Sequence, residues 1–180
     1  LIEEINLSVL DKLDRTDIRH EISGAIGRML ADADKPLNTK EREAIIDELV
    51  DELMGYGPLE PLLADDTVSD ILVNTPHRVY VERRGMLEET NVRFKDDAHL
   101  LRIIDRIVVR VGRRVDEGTP LVDARLPDGS RVNAVVSPIA LDGPLLSIRK
   151  FARIPFDLDR LVEVGAMTPA CADVLRGVVK

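Results

Sequence analysis

The chain has 180 residues, 44% of them hydrophobic and 32% charged, with a formal net charge of −8; this balance belongs to a folded globular chain and excludes a disordered tract. Residues 1–60 hold 15 acidic and 7 basic side chains, whereas residues 111–180 hold 9 and 10. A general nucleic-acid surface is thereby disfavoured, while a local cationic site in the second half stays open.

The single cysteine, Cys171, has no partner for an internal disulfide, and on a helical segment it is expected as a small buried side chain. No apolar run reaches the length of a membrane span, and no basic stretch followed by an apolar one marks a signal peptide. A start without Met and an end on RGVVK are read as those of an excerpt from a larger protein.

In chain order, Ile2, Ile5, Val9 and Leu13 have helical spacing over residues 1–13. A second helix is expected over 18–32, capped by Asp17, with Ile18, Ile22, Ile26, Met29 and Leu30 as its buried stripe. Thr39 is the expected cap of a third helix ending at Met54, with Ile45, Leu49 and Leu53 on one face and acids on the other. Residues 1–54 therefore read as a small helical bundle and appendage. GYGPLEPLLADD, residues 55–66, breaks the helical pattern with two glycines and two prolines, and marks a boundary.

The remainder, 55–180, reads as one α+β domain. VSDILVN, RVYVERR and MLEETNVRF alternate as a three-stranded antiparallel meander. Asp97 begins a helix with Leu101, Ile104, Val108 and Val111 as its expected core face, stopped by Gly112; His99 is expected at the surface or as a cap. LVDARL, RVNAVVS and LLSIRKF follow as strands, the first two joined by a Pro127-Asp128-Gly129 turn. Two short helices close the chain, one capped near Asp157 and one capped by Thr168 with Pro169 at its first position. The fold class is thus α+β, an N-terminal helical bundle followed by a largely antiparallel sheet packed with helices.

The chemistry is concentrated in cations. Arg125, Arg131 and Arg149 each sit inside a strand, so a folded sheet would hold three planar guanidinium groups, a geometry suited to phosphate oxygens. Solvent-facing arginines are the plainer alternative. A GxxxxGK[ST] loop, a GxGxxG fingerprint, HExxH and paired cysteines are all missing. His20, His77 and His99 are too dispersed to suggest a metal site, and Ser69, Ser137 and Ser147 lack a nucleophile-elbow context.

LMGYGPLEPLLADDTVSDILVN, RVYVERRG and RIVVRVGRRVDEGTPLVDARLPDGSRVNAVVSPIALDGPLLSIRKF together resemble the N-terminal region of the type II/type IV secretion ATPases, nearest to the tight-adherence (Flp) pilus assembly ATPases of the CpaF kind. The resemblance covers nearly the whole chain and is strongest from Gly55 to Phe151. It implies a cytoplasmic, homo-hexameric motor of pilus assembly or secretion, attached to the inner membrane through platform proteins. Each subunit would pair this domain with its own C-terminal RecA-like domain, which holds the Walker motifs, ATP and Mg2+. This sequence stops about where the Walker A strand would begin, so the fragment alone is expected to be inactive, with no catalytic residue of its own. Matching RLPDGSR and SIRKF implies that Arg131 and Arg149, and less directly Arg125 and Arg114, contact the nucleotide phosphates. Asp123 and Asp128 would orient these arginines or shape the hairpin. The helical appendage would dock onto a neighbouring subunit or a membrane component. The competing readings are a free-standing nucleotide sensor using the same arginines and a non-catalytic assembly adaptor.

Overall fold

The computed structural model describes residues 15–32, 38–151 and 157–178. The first expected helix, over residues 1–13, lies outside them, and so do the side chains of Met29 and Leu30. Two helices open the described chain, α1 (Arg15–Asp32) and α2 (Thr39–Met54). Because α1 already begins at Arg15, Asp17 is an acid in its first turn and not its cap. The cap of α2 is Asn38, not Thr39. Its side chain accepts from the Glu41 backbone N–H at 2.9 Å while the Glu41 carboxylate accepts from the Asn38 N–H at 3.0 Å, so two end groups are satisfied reciprocally.

Ile18, Ile22 and Ile26 of α1 pack on Ile46 and Val50 of α2 in a cluster of their own. The expected stripe Ile45, Leu49 and Leu53 flanks this seam, partly buried. An Arg19–Asp47 ion pair and a 3.0 Å bond from Arg42 Nη2 to the Ser23 carbonyl close the edges of the helix pair.

A 3-10 turn (Gly57–Leu59) and a one-turn helix α3 (Glu60–Ala64) lead to the sheet. Gly57 has φ +55°, and a Cβ there would lie 2.6 Å from Glu52 Oε2 and 3.2 Å from Ile103 Cδ1. Only glycine combines that backbone angle with so close an approach. Leu59 and Leu62 of this segment enter the main core.

Strands β1 (Val68–Thr75), β2 (Arg78–Arg83) and β3 (Met86–Glu89) form the first meander. The third strand is shorter than its sequence suggests. At Thr90 the chain turns away, with the Thr90 N–H on the Val79 carbonyl at 2.8 Å, and Phe94 drops into the core. Helix α4 (Asp97–Val109) follows, and then β4 (Leu121–Arg125), β5 (Arg131–Val135) and β6 (Leu145–Arg149) form a second meander. The two meanders join through antiparallel pairing of β1 with β6, giving one six-stranded sheet of order β3-β2-β1-β6-β5-β4. Helices α5 (Leu158–Glu163) and α6 (Pro169–Val178) close the chain. Asp157 caps α5 through the Arg160 N–H at 2.7 Å, and Thr168 receives the Cys171 N–H at 3.3 Å. Cys171 itself is exposed; its neighbour Ala172 takes the buried position.

The inner face of the sheet presents Ile71, Val73, Val79, Val81, Val132, Ala134, Leu146 and Ile148 to α4. From α4 come Leu100, Ile103, Ile104, Ile107 and Val108, all fully buried, whereas Leu101 is 40% exposed. The expected and observed stripes share Ile104 and Val108, and Val111, just past the helix end, packs partly buried against the same core. Apolar residues at 100, 101, 103 and 104 let a 3.6-residue period fit either face, and packing selects the one through Leu100. His99 is buried rather than superficial. Its Nδ1 accepts from the Lys95 N–H at 3.2 Å, so Nε2 carries the proton and faces a Glu52 carboxylate oxygen at 3.0 Å. Arg106 Nη1 donates to the carbonyls of Glu52 and Gly55 at 2.7 and 2.6 Å, and Arg110 Nη2 to that of Met54 at 2.8 Å. Helix α4 therefore satisfies the carbonyl end of α2 with two cations, the favourable sign for a helix C-terminus.

Truncating Ile104, which touches both the sheet and the rest of α4, is expected to destabilise strongly. Ile104→Ala should lower unfolding stability by about 2–5 kcal/mol in urea titration; a loss below about 1 kcal/mol would show that this helix is not the lid of the core.

Candidate functional site

The turn between β4 and β5 is held from within. Leu126 N–H bonds the Ser130 carbonyl at 2.7 Å, Gly129 N–H bonds the Leu126 carbonyl at 2.9 Å, and Gly129 takes φ +90°. The Asp128 carboxylate receives both the Ser130 N–H at 3.0 Å and the Ser130 hydroxyl at 2.8 Å. Asp128 is thus the residue that shapes the hairpin. Because the turn fixes the pairing of the flanking strands, Arg125 lies directly opposite Arg131, and Arg131 directly opposite Arg149. Arg149 in turn faces Asp70 of β1, and Asp70 faces Glu82 of β2. Side chains at registered positions share a face, so three cations and two anions form one row across five strands on the outer side of the sheet.

Like charges directly opposite one another in a sheet are destabilising. Two aspartates offset part of that repulsion. Asp123, two residues before Arg125, accepts from Arg131 Nε at 3.0 Å and from Nη2 at 2.5 Å. Asp70 accepts from Arg149 Nε at 3.0 Å. These pairs are unlike. The Arg131 fork is engaged on two nitrogens, while both terminal nitrogens of Arg149 make no bond among the described residues. The Asp70 side chain is only 17% exposed and that of Arg149 is 75% exposed, so the carboxylate anchors the base of the arginine and leaves its planar end in solvent. The Arg125 guanidinium has no partner among the described residues and is exposed.

The hydrogen bonds and charge of Arg131 hold the Asp123 carboxyl below the usual carboxylate range, and Asp123 pushes Arg131 up in return. A depressed carboxylate stabilises the fold above its unfolded pKa, and that contribution is lost as the pH falls through the lower folded value. The pair is solvent-exposed, so it positions Arg131 more than it stabilises the fold.

Arg114 lies apart from the row, on the loop after α4, with Nε 3.7 Å from Asp116 Oδ2 and its side chain 78% exposed. With Arg113, Thr119 and Asp123 it lines a concavity of ≈ 330 Å³ at the β4 edge, so Asp123 is common to the row and to this hollow. A larger hollow of ≈ 890 Å³ lies between α2 and the β2–β3 edge and contains none of the four candidate arginines. Sequence reasoning named Arg125, Arg131, Arg149 and Asp123 but missed Asp70, which lies 79 positions before Arg149. The alternation of VSDILVN places Asp70 on the outer face, but nothing local reveals which strand pairs with it.

The described residues thus form a six-stranded antiparallel sheet backed by α4, with a row of arginines on its outer face. The family model for Type II/IV secretion system protein matches residues 52–180, and the chain belongs to that family. A putative conjugal transfer protein of Mycobacterium tuberculosis is 36% identical over 134 residues, 71% of this chain and 38% of the relative. An uncharacterized protein of Methanocaldococcus jannaschii is 33% identical over 181 residues, 92% of this chain and 25% of the relative. Among solved structures, the VirB11 ATPase of the Brucella suis type IV secretion system, in complex with sulphate, superimposes with a TM-score of 0.55 at 27% identity, over 61% of this chain and 34% of that one. The chain thus spans well under half the length of these relatives. No helix among the described residues is long and apolar enough to cross a membrane.

Two outcomes follow from the charge row. Carbon-detected NMR titration should place the Asp123 carboxyl pKa below that of an ordinary aspartate, and Arg131→Gln should bring it back; an unchanged titration on that substitution would remove the pairing. Arg125→Thr should leave the urea midpoint unchanged or raised, since it relieves like-charge opposition, whereas a clear fall would mean that Arg125 is there for stability.

Proposed function

We propose that this chain is the N-terminal part of a hexameric ATPase that powers assembly of a tight-adherence (Flp) pilus, of the CpaF kind, or a related secretion process. Residues 1–54 form its appendage and 55–180 the domain that faces its own C-terminal RecA-like domain. In this reading ATP and Mg2+ are held mainly by that RecA-like domain, in the cytoplasm, and inner-membrane platform proteins receive the work. Arg149 and Arg131 reach the nucleotide phosphates, with Arg125 and Arg114 at the margin of the same site.

The observation that carries this reading is the row itself. Three guanidinium groups in cross-strand register lower the stability of the sheet unless an anion is drawn to them, and Arg149 has two terminal nitrogens without a partner among the described residues, in the fork arrangement that suits phosphate oxygens. The donor set fits a polyphosphate; the sulphate complex of the VirB11 neighbour supports an anion-binding habit in the family. Separate hydrophobic clusters in the helix pair and the sheet support the division near Gly55. Closure of the two domains over ATP would bring Arg149 against charge developing on the transferring phosphoryl group, where a fixed cation lowers the barrier without reorganisation.

Steady-state hydrolysis by the full-length protein tests the reading. Arg149→Ala should lower turnover by about ten- to thousandfold with hexamer mass unchanged. Turnover within twofold of the parent would leave the family assignment standing and remove the arginines from the nucleotide site.

A further inference from the structure

Two residues beyond the end of β6 at Arg149, the chain presents an exposed aromatic side chain. The chain has three phenylalanines and no tryptophan, and while Phe94 is buried in the core, Phe151 is 62% exposed. Its position is nevertheless fixed. The Phe151 N–H donates to Ser130 Oγ at 3.0 Å, and Ser130, itself 1% exposed, donates that hydroxyl proton to Asp128 at 2.8 Å. The ring lies over the hairpin turn: a Cβ on Gly129 would sit 3.1 Å from Phe151 Cγ. Glycine at 129 therefore provides both the positive φ of the turn and the floor on which the ring rests.

Two residues beyond the last registered pair, Arg131 and Arg149, Gly129 comes opposite Phe151, and the period of two puts the ring on the same outer face as the arginine row. Two residues of strand separate the Phe151 and Arg149 backbones by about 7 Å, a spacing that one nucleotide spans from phosphates to base. The same buried serine that anchors Phe151 precedes Arg131 in sequence, so ring and guanidinium are positioned by one rigid turn. Phe151 does not belong to the main core cluster of the described residues.

We propose that Phe151 is the wall on which the base of the bound nucleotide stacks, next to the arginines that take its phosphates. The inference rests on the proposed nucleotide site. It adds that the sheet domain contacts the nucleoside as well as the charge, and that this contact is tolerant of base identity, since every base offers a π face.

Calorimetric titration of ATP and of inorganic tripolyphosphate into the full-length protein separates the two ideas. Phe151→Ala should weaken ATP binding by about ten- to hundredfold, leave tripolyphosphate binding within twofold, and be rescued by Phe151→Tyr. Arg149→Ala should weaken both ligands. If Phe151→Ala weakens ATP and tripolyphosphate alike, or weakens neither while Arg149→Ala weakens both, the stacking role is overturned and the arginine site stands. If Phe151→Ala weakens ATP alone while Arg149→Ala weakens neither, the stacking role stands and the arginine reading falls. A parallel loss of hexamer mass in Phe151→Ala with ATP affinity intact would assign the ring to a subunit contact and overturn the proposal.

Discussion

The antiparallel pairing of β1 with β6 is the constraint from which the rest of this molecule follows. It joins two local meanders whose strands lie some eighty positions apart in sequence, with Asp70 opposite Arg149 and Ile71 opposite Ile148. On the inner face that register merges the apolar sides of both meanders into one surface that α4 covers. On the outer face it supplies a carboxylate where the arginine row would otherwise end unneutralised. A slip of β1 by one residue against β6 would turn Asp70 into the core and Ile71 out to water, so the register is enforced from both faces at once.

The row is arranged to keep its cations and only partly neutralise them. Arg131 is gripped on two nitrogens, Arg149 on one, and Arg125 on none among the described residues, so the capacity to accept an outside anion rises away from the Asp123 pair. A sheet selected for stability alone would replace two of these arginines by threonine or valine, which pair well across strands. Their retention in register, on a turn made rigid by Asp128 and Ser130, is a local conflict of the kind that marks a working surface. The helix pair is tied to this scaffold through backbone carbonyls at its end, received by Arg106 and Arg110. A load on α2 would thus reach α4 through cation-to-carbonyl bonds, and α4 forms the floor of the sheet.

Much of this was legible in the chain. Alternation in VSDILVN, RVYVERR and RVNAVVS gave the strands, because one buried face imposes a period of two. Pro127-Asp128-Gly129 gave the hairpin, while the opposition of Arg125 and Arg131 is the register that the folded hairpin adopts. What stayed hidden was whatever depends on distant partners. The choice between Leu100 and Leu101 on α4 turned on the sheet below it, and His99 became a buried residue only because Glu52 and Phe94 close around it. Asp70 was one acid among many until β6 lay beside it. The loss of strand character after Glu89 has the same origin, since burying Phe94 rewards leaving the sheet. The start of α1 at Arg15 and the cap of α2 at Asn38 fell within the usual one or two residues by which helix ends are misread.

The central claim is that the outer arginine row faces the phosphates of a bound nucleotide across a domain boundary. The structure of the full-length protein with Mg2+ and a non-hydrolysable ATP analogue tests it most directly. The account predicts a terminal nitrogen of Arg149 within about 3 Å of a phosphate oxygen, with Asp70 still on its Nε. An analogue bound with the outer face of the sheet turned away from it, Arg149 remaining in solvent, would contradict the account.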